Sequence, residues 1–203
     1  MKRRQRQNIS QSTSQILTRA VTHIRLEAVN AGKFAALNDL AQVYLPLCQQ
    51  YVILFCTEET PDKFRATCFT TPLSERWHRA AIQQAAGIAR SWRTNREQAY
   101  QDYVEELGEY EEQQADGTLG KEATEPLWNE WDVPTLRQSC IQANTNVVVI
   151  EPSEDSTFEY WLRISTLDKG HPLRVPVKLA AYHKQALSEK KLNTSTTLCK
   201  RNG

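Results

Sequence analysis

Four arginines, Arg76, Arg79, Arg90 and Arg93, stand at offsets of 0, 3, 14 and 17 residues, and at about 100° per residue this spacing gathers them on one side of a helix. Gln83 falls between them, and no acidic residue occurs from Trp77 to Arg96. Guanidinium groups pair with phosphate in bidentate fashion, so such a stripe suits a nucleic-acid backbone. The solvated face of an ordinary amphipathic helix gives the same pattern. A second basic group, Lys169, Arg174, Lys178, His183, Lys184, Lys190 and Lys191, lies near the carboxyl end. Its plain alternative is a solvated, lysine-rich helix end.

Chemistry of the covalent kind finds little support. No Ser-His-Asp spacing, glycine-rich phosphate loop or H-E-x-x-H pattern occurs, so no catalytic residue, metal or cofactor is expected. The carboxylates between Glu105 and Glu112 share a helical pattern with Tyr103, Leu107 and Tyr110 and read as a solvated face. Trp128, Trp131 and Trp161 could stack on bases but are expected in the core. The five cysteines are odd in number and far apart, with no C-x-x-C pair. Neither a disulfide framework nor a zinc site is indicated, and reduced thiols in a cytoplasmic protein are the expectation. No apolar run approaches the roughly 18 to 20 residues that span a bilayer, and the basic amino terminus leads into polar Asn8 to Ser14, so no membrane is expected.

The elements that must position these residues follow from periodicity. With 203 residues, 40% of them hydrophobic, the chain can fold as one large domain or two small ones. Its net charge of +1 conceals segregation. Residues 1–25 carry six basic side chains and no acid, Glu97 to Asp132 hold twelve acids against Lys121 alone, and from Arg163 onward nine Lys or Arg face Asp168 and Glu189. Residues 1–20 read as a flexible basic arm. Thr22 to Ala28 alternates as a strand. From Asn30, apolar residues recur every three or four positions through Leu54, marking a helix that Pro46 should kink.

After a loop around Thr57 to Thr71, Ser74 is placed to N-cap a second long helix that runs toward Tyr110. Asp116-Gly117 breaks it, and Lys121 to Pro134 reads as a loop. Strand patterns resume from Leu136, with Val147 to Ile150 as a run covered on both sides. A hairpin follows from Phe158, Tyr160, Leu162 and Ile164 through Asp168-Lys169-Gly170 to Leu173, Val175 and Val177, with Pro172 and Pro176 confining the second strand to a sheet edge. Lys178 to Leu187 is helical, and Leu192 to Gly203 reads as the start of a further strand that finds no continuation and leaves an unpaired sheet edge. The fold class is α+β.

The order strand, charged turn, strand ending in Val175-Pro176-Val177-Lys178, helix with His183, then Asn193-Thr194-Ser195-Thr196-Thr197-Leu198 resembles the wedge region of the TnpB family. These are transposon-borne RNA-guided DNA nucleases, relatives of the type V CRISPR effectors. The resemblance implies a wedge-like β-barrel from 21–28 and 136–203, split by a helical recognition insertion at 29–135. It implies that the wedge holds structured guide RNA and, with the recognition region, the double-stranded DNA motif flanking the target. Lys178 and His183 match the family pattern of Pro-x-Lys followed by a helix with His. The catalytic carboxylates of that family belong to a RuvC domain beyond the matched region, so the resemblance carries over no catalytic residue and implies a separate RuvC-containing polypeptide. The expectation is a non-catalytic lobe of a transposase-related, mobile-element nuclease. The alternatives are a stand-alone nucleic-acid-binding regulator of the element and a decayed gene product.

Overall fold

The structure is a computed structural model that describes residues 29–57, 69–120, 122–136, 140–154, 157–189 and 195–200. The expected arm, the strand at 22–28, and Lys190 and Lys191 lie outside these residues. Helix α1 is Ala31–Thr57 and α2 is Glu75–Ala115. Five strands follow, β1 (Cys140–Asn144), β2 (Val148–Pro152), β3 (Tyr160–Ile164), β4 (Leu173–Val177) and β5 (Ser195–Cys199), with helix α3 (Ala181–Glu189) between the last two. The fold is α+β. Among the described residues the strands form two small antiparallel sheets, β1-β5 and β2-β3-β4, and no closed barrel.

Local chemistry starts and stops the helices where the sequence places the signals. Asn30 Oδ1 accepts the Lys33 N–H at 2.9 Å, capping α1. Ser74 occupies the N-cap position of α2 without a capping bond from its side chain, and its carbonyl accepts the first helix bonds, from Trp77 at 2.9 Å and His78 at 3.1 Å. At the far end Gly117 takes φ 70°, and the Gly117 and Thr118 N–H groups donate back to Gln114 and Gln113, a Schellman closure that needs a residue tolerant of positive φ. Pro46 sits inside α1 on its exposed side, where the hydrogen bond it cannot donate leaves a carbonyl facing water.

Contacts advance together along the two helices. Tyr44 meets Trp77 edge-on with ring centroids 5.5 Å apart, Cys48 Sγ reaches the Ala81 carbonyl at 3.7 Å, and Arg93 reaches the Phe55 carbonyl. The helices therefore run in the same general direction. Buried side chains of both helices and both sheets, from Leu40, Tyr51, Phe55 and Trp77 to Ile141, Ile164 and Val175, make one contiguous core. An 18-residue window of α1 is apolar enough to cross a membrane by length and composition. That apolarity is accounted for by the seven α1 residues this core buries, which sequence runs interrupted by polar residues did not reveal.

The hairpin follows its alternation. Leu162 and Ile164 are buried, and Tyr160↔Val177, Leu162↔Val175 and Ile164↔Leu173 pair on the inner face. Pro176 lies on edge strand β4, as a residue lacking N–H must. Two expectations are corrected. The run Val147 to Ile150 is not covered on both sides: Val147 belongs to a turn, and β2 is an edge strand whose Val149 and Ile150 are half-buried. The last strand does have a partner, because β5 pairs with β1 in the register Cys140↔Cys199 to Asn144↔Ser195.

Among the described residues no strand lies on the other edge of β1, and a side chain takes that place. Gln84 of α2 donates from Nε2 to the Cys140 carbonyl at 3.1 Å and accepts the Gln142 N–H on Oε1 at 3.0 Å. One carboxamide thus satisfies β1 as a neighbouring peptide unit would. The Tyr44 hydroxyl, 2.8 Å from Gln84 Oε1 and 3.0 Å from the Gln142 carbonyl, shares its proton between them. Gln49 of α1 repeats the device, donating to the Pro134 carbonyl at 3.0 Å and accepting from Leu136 N–H at 2.8 Å.

Gln84→Met keeps the length of the side chain but leaves the Gln142 N–H and Cys140 carbonyl unsatisfied. A loss of about 2–4 kcal/mol in urea denaturation is expected, and an unchanged midpoint would show that the tether is dispensable. Buried His78 lies with Nδ1 3.2 Å from Tyr51 Oη and Nε2 2.8 Å from Thr71 Oγ1, and desolvation lowers its pKa from 6.5. The unfolded chain then binds the proton more readily, so this contribution to stability is intact above about pH 6.5 and falls as pH drops below it. Denaturation at pH 7.5 and 5.5 should show that decline, and His78→Gln should flatten it.

Candidate nucleic-acid interface

Helix α2 changes character at its midpoint. All of its buried residues, Trp77, His78, Ala80, Ala81, Gln84, Ala85 and Ala89, precede Arg90. This inner half turns one stripe toward α1 and β1, and Arg76, Arg79, Gln83 and Arg90 remain exposed. The periodicity that predicts the arginine stripe therefore holds, but the four side chains have different employment. Arg76 and Arg90 have no hydrogen bond or ion pair among the described residues. Arg79 is paired with Glu75 one turn before it, at 2.6 Å, an acid just outside the acid-free window read in the sequence. That pair is two-thirds exposed on both sides and easily exchanged for another anion.

Arg93 is a correction in kind. It is half-buried and donates to the Phe55 carbonyl, satisfying one of the acceptors left open in the last turn of α1. No basic residue lies in that last turn, so Arg93 supplies from α2 the cation that the end of α1 lacks. Cys56 beside it has its thiol pKa raised by burial, an effect Arg93 partly offsets.

The carboxyl-terminal basic set is likewise divided. Lys169 in the β3–β4 turn and Lys178 after β4 are exposed, with no hydrogen bond or ion pair among the described residues. Arg174 lies 3.9 Å from Glu151, which also pairs with Arg163, so one acid serves two register-paired arginines. Lys184 forms an ion pair with Glu159. His183 accepts the Ala180 N–H on Nδ1 at 3.2 Å, which makes it a cap at the start of α3. Trp77 Nε1 donates to the Ser165 carbonyl at 3.1 Å, so the end of α2 that carries Arg76 and Arg79 adjoins the end of β3 from which the Lys169 turn departs.

Sequence reasoning missed Lys33, in the first turn of α1, and Lys200, which the fold brings against α1. Lys33 lies 5.9 Å above the Trp161 ring, and Lys200 lies 5.3 Å above Phe34 and bonds Asn38. Trp161 belongs to the outer face of its sheet, half-buried beneath Lys33, and not to the core. Trp131 is exposed at its loop, whereas Trp128 packs edge-on against Tyr100 at 5.2 Å.

The charge order of α2 opposes its own dipole. The first turn has Glu75 but is followed by Arg76 and Arg79, and the last turn has no basic residue after a run of acids. Helix stability favours the reverse, at about 0.3–1 kcal/mol for each charge near an end. The order is thus not accounted for by the helix itself. Among the described residues no group of His, Cys, Asp or Glu is placed to hold a metal ion. Comparison of the chain with protein-family models, curated proteins and solved structures finds no match.

The division of labour along the stripe is measurable. Arg93→Gln should lower stability by about 1–2 kcal/mol in denaturant titrations, while Arg76→Gln and Arg90→Gln should leave the unfolding midpoint in place. Equal effects at all three positions would contradict the assignment.

Proposed function

We propose that this chain is the non-catalytic, RNA-gripping lobe of a TnpB-like RNA-guided nuclease. In this reading the structured guide RNA lies along the exposed arginines of α2 and the adjoining Lys169 and Lys178. The flanking double-stranded DNA motif is a second ligand, and a separate RuvC-containing polypeptide supplies the cut. The two antiparallel sheets are read as walls of a wedge-like barrel into which α1 and α2 are inserted as the recognition region, and the site of action is the cytoplasm. Segment 21–28, assigned to that barrel, lies outside the described residues.

The single observation that carries the proposal is the exposed pair Arg76 and Arg90, left without a protein partner among the described residues on a helix whose charge order its own stability does not favour. The sequence order of charged turn, Val-Pro-Val-Lys strand and His183 helix supports it from the resemblance. A stand-alone regulator of the same element would use the same face, and would differ in acting without a RuvC partner.

Affinity capture of the full chain from its native cells, followed by RNA sequencing, should enrich one discrete structured RNA. Recovery of no RNA above a mock capture overturns the reading. With the captured RNA in hand, Arg76→Gln/Arg90→Gln should weaken binding and reduce the slope of log K against log salt by about 2, as expected for two lost phosphate contacts. A wild-type slope in that variant would remove α2 from the interface.

A further inference from the structure

Two cysteines 59 residues apart in sequence are brought face to face by the β1-β5 register. Cys140 and Cys199 are directly opposed, and their Sγ atoms lie 2.7 Å apart as a thiol–thiol hydrogen bond. Directly opposed residues of an antiparallel pair have Cα atoms about 4.5–5.5 Å apart, within the range a disulfide spans without backbone movement. Cys199 is exposed and Cys140 half-buried, so one sulfur can be reached from solvent and the other waits behind it. We propose that Cys140 and Cys199 form a reversible disulfide, a modification site that latches β5 onto β1 and is set by low-molecular-weight disulfides.

The chemistry is thiol–disulfide exchange. The Cys199 thiolate attacks one sulfur of a small disulfide RSSR, forming a Cys199–S–S–R mixed disulfide and releasing RS⁻. Cys140, having lost its proton to a base in solution, attacks the Cys199 sulfur and expels the second RS⁻. Two thiols and RSSR thus become one protein disulfide and two RSH, with RSSR taking the two electrons. Access sets the order of attack. It is reinforced at Cys140, whose pKa is pushed up to about 11 by desolvation first and by its hydrogen bond to Cys199 second. Cys48 is buried between the helices and its pKa is pushed up to about 12 by desolvation, so it has no part in the exchange.

The consequence is mechanical. Strand β1 is held to α2 by Gln84 and to α1 by Tyr44, so a covalent link from β1 to β5 fastens the carboxyl-terminal strand to the helical body. The latch is independent of the nucleic-acid reading.

The full chain, equilibrated with oxidised and reduced glutathione and then unfolded and alkylated, should yield a cross-linked peptide joining Cys140 to Cys199 in the monomer while Cys48 is recovered alkylated. Cys140→Ser should instead accumulate a glutathione adduct on Cys199, and Cys199→Ser should leave Cys140 reduced. The oxidised chain should melt about 5 °C or more above the reduced one, because the link closes a long loop in the unfolded state. Separate adducts on both cysteines in the wild type, cross-links only between two chains, or equal melting points for the two forms would each overturn the latch.

Discussion

The structure depends on a strand edge satisfied by side chains. Among the described residues strand β1 has β5 on one side and no strand on the other, and a buried peptide group without a partner costs about 1–3 kcal/mol. The Gln84 carboxamide removes that cost by presenting a donor and an acceptor at the spacing of a peptide unit, with the Tyr44 hydroxyl completing the network. Because Gln84 belongs to α2 and Tyr44 to α1, the same few bonds fix both helices against the sheet. Burial raises the pKa of the Tyr44 hydroxyl far above its usual 10.0, so it remains a donor at any pH the chain meets. Gln49 extends the arrangement one step upstream, holding residues 134 and 136 against α1.

From these anchors the chain between α2 and β1 can be followed as a strap laid back along α2. Trp128 packs on Tyr100 and Tyr103, Glu130 meets Arg96 at 3.6 Å, and the Asp132 carbonyl accepts from Trp92 at 2.9 Å. The residue numbers rise on the strap as they fall on the helix, so the strap runs antiparallel to α2 until Gln49 and Gln84 receive it. This explains how a helix of 41 residues persists over an outer half with no buried side chain. The loop read in the sequence over Lys121 to Pro134 is irregular in backbone but bound along much of its length.

What was legible in the sequence is what is local. The start of α2 after Ser74, the Gly117 stop, the alternation from Tyr160 to Ile164 and the edge strand marked by Pro176 rest on interactions within a few residues. What escaped is carried by pairs far apart in the chain. Arg93 and Phe55 are separated by 38 residues and Cys140 and Cys199 by 59, and no periodicity announces either meeting. Partnership of β5 with β1 escaped for the same reason, since register between distant strands is decided by the core they share. Arg79 escaped differently. Its partner Glu75 is four residues away, and the i,i+4 rule would have found it.

The same distances decide how far the acidic half of α2 can interfere with a polyanion at its inner half. Along the helix axis, at about 1.5 Å per residue, Arg76 stands about 44 Å and Arg90 about 22 Å from Glu105, where the acids become dense. The Debye length at physiological salt is about 8 Å, so the carboxylates from Glu105 onward neither neutralise these arginines nor repel a phosphate bound to them. They do repel a phosphate chain laid along the outer half. On the proposed reading, a nucleic acid held by Arg76 and Arg90 is steered toward the body of the protein, where Trp77 joins α2 to β3 and the Lys169 turn begins. At that end Glu75 balances the charge of Arg79, whereas Arg93, further along the helix, keeps its positive charge while serving the Phe55 carbonyl. Under the proposed function, the charge reversal along α2 sets the direction of a bound strand, a constraint that a uniformly basic helix would not impose.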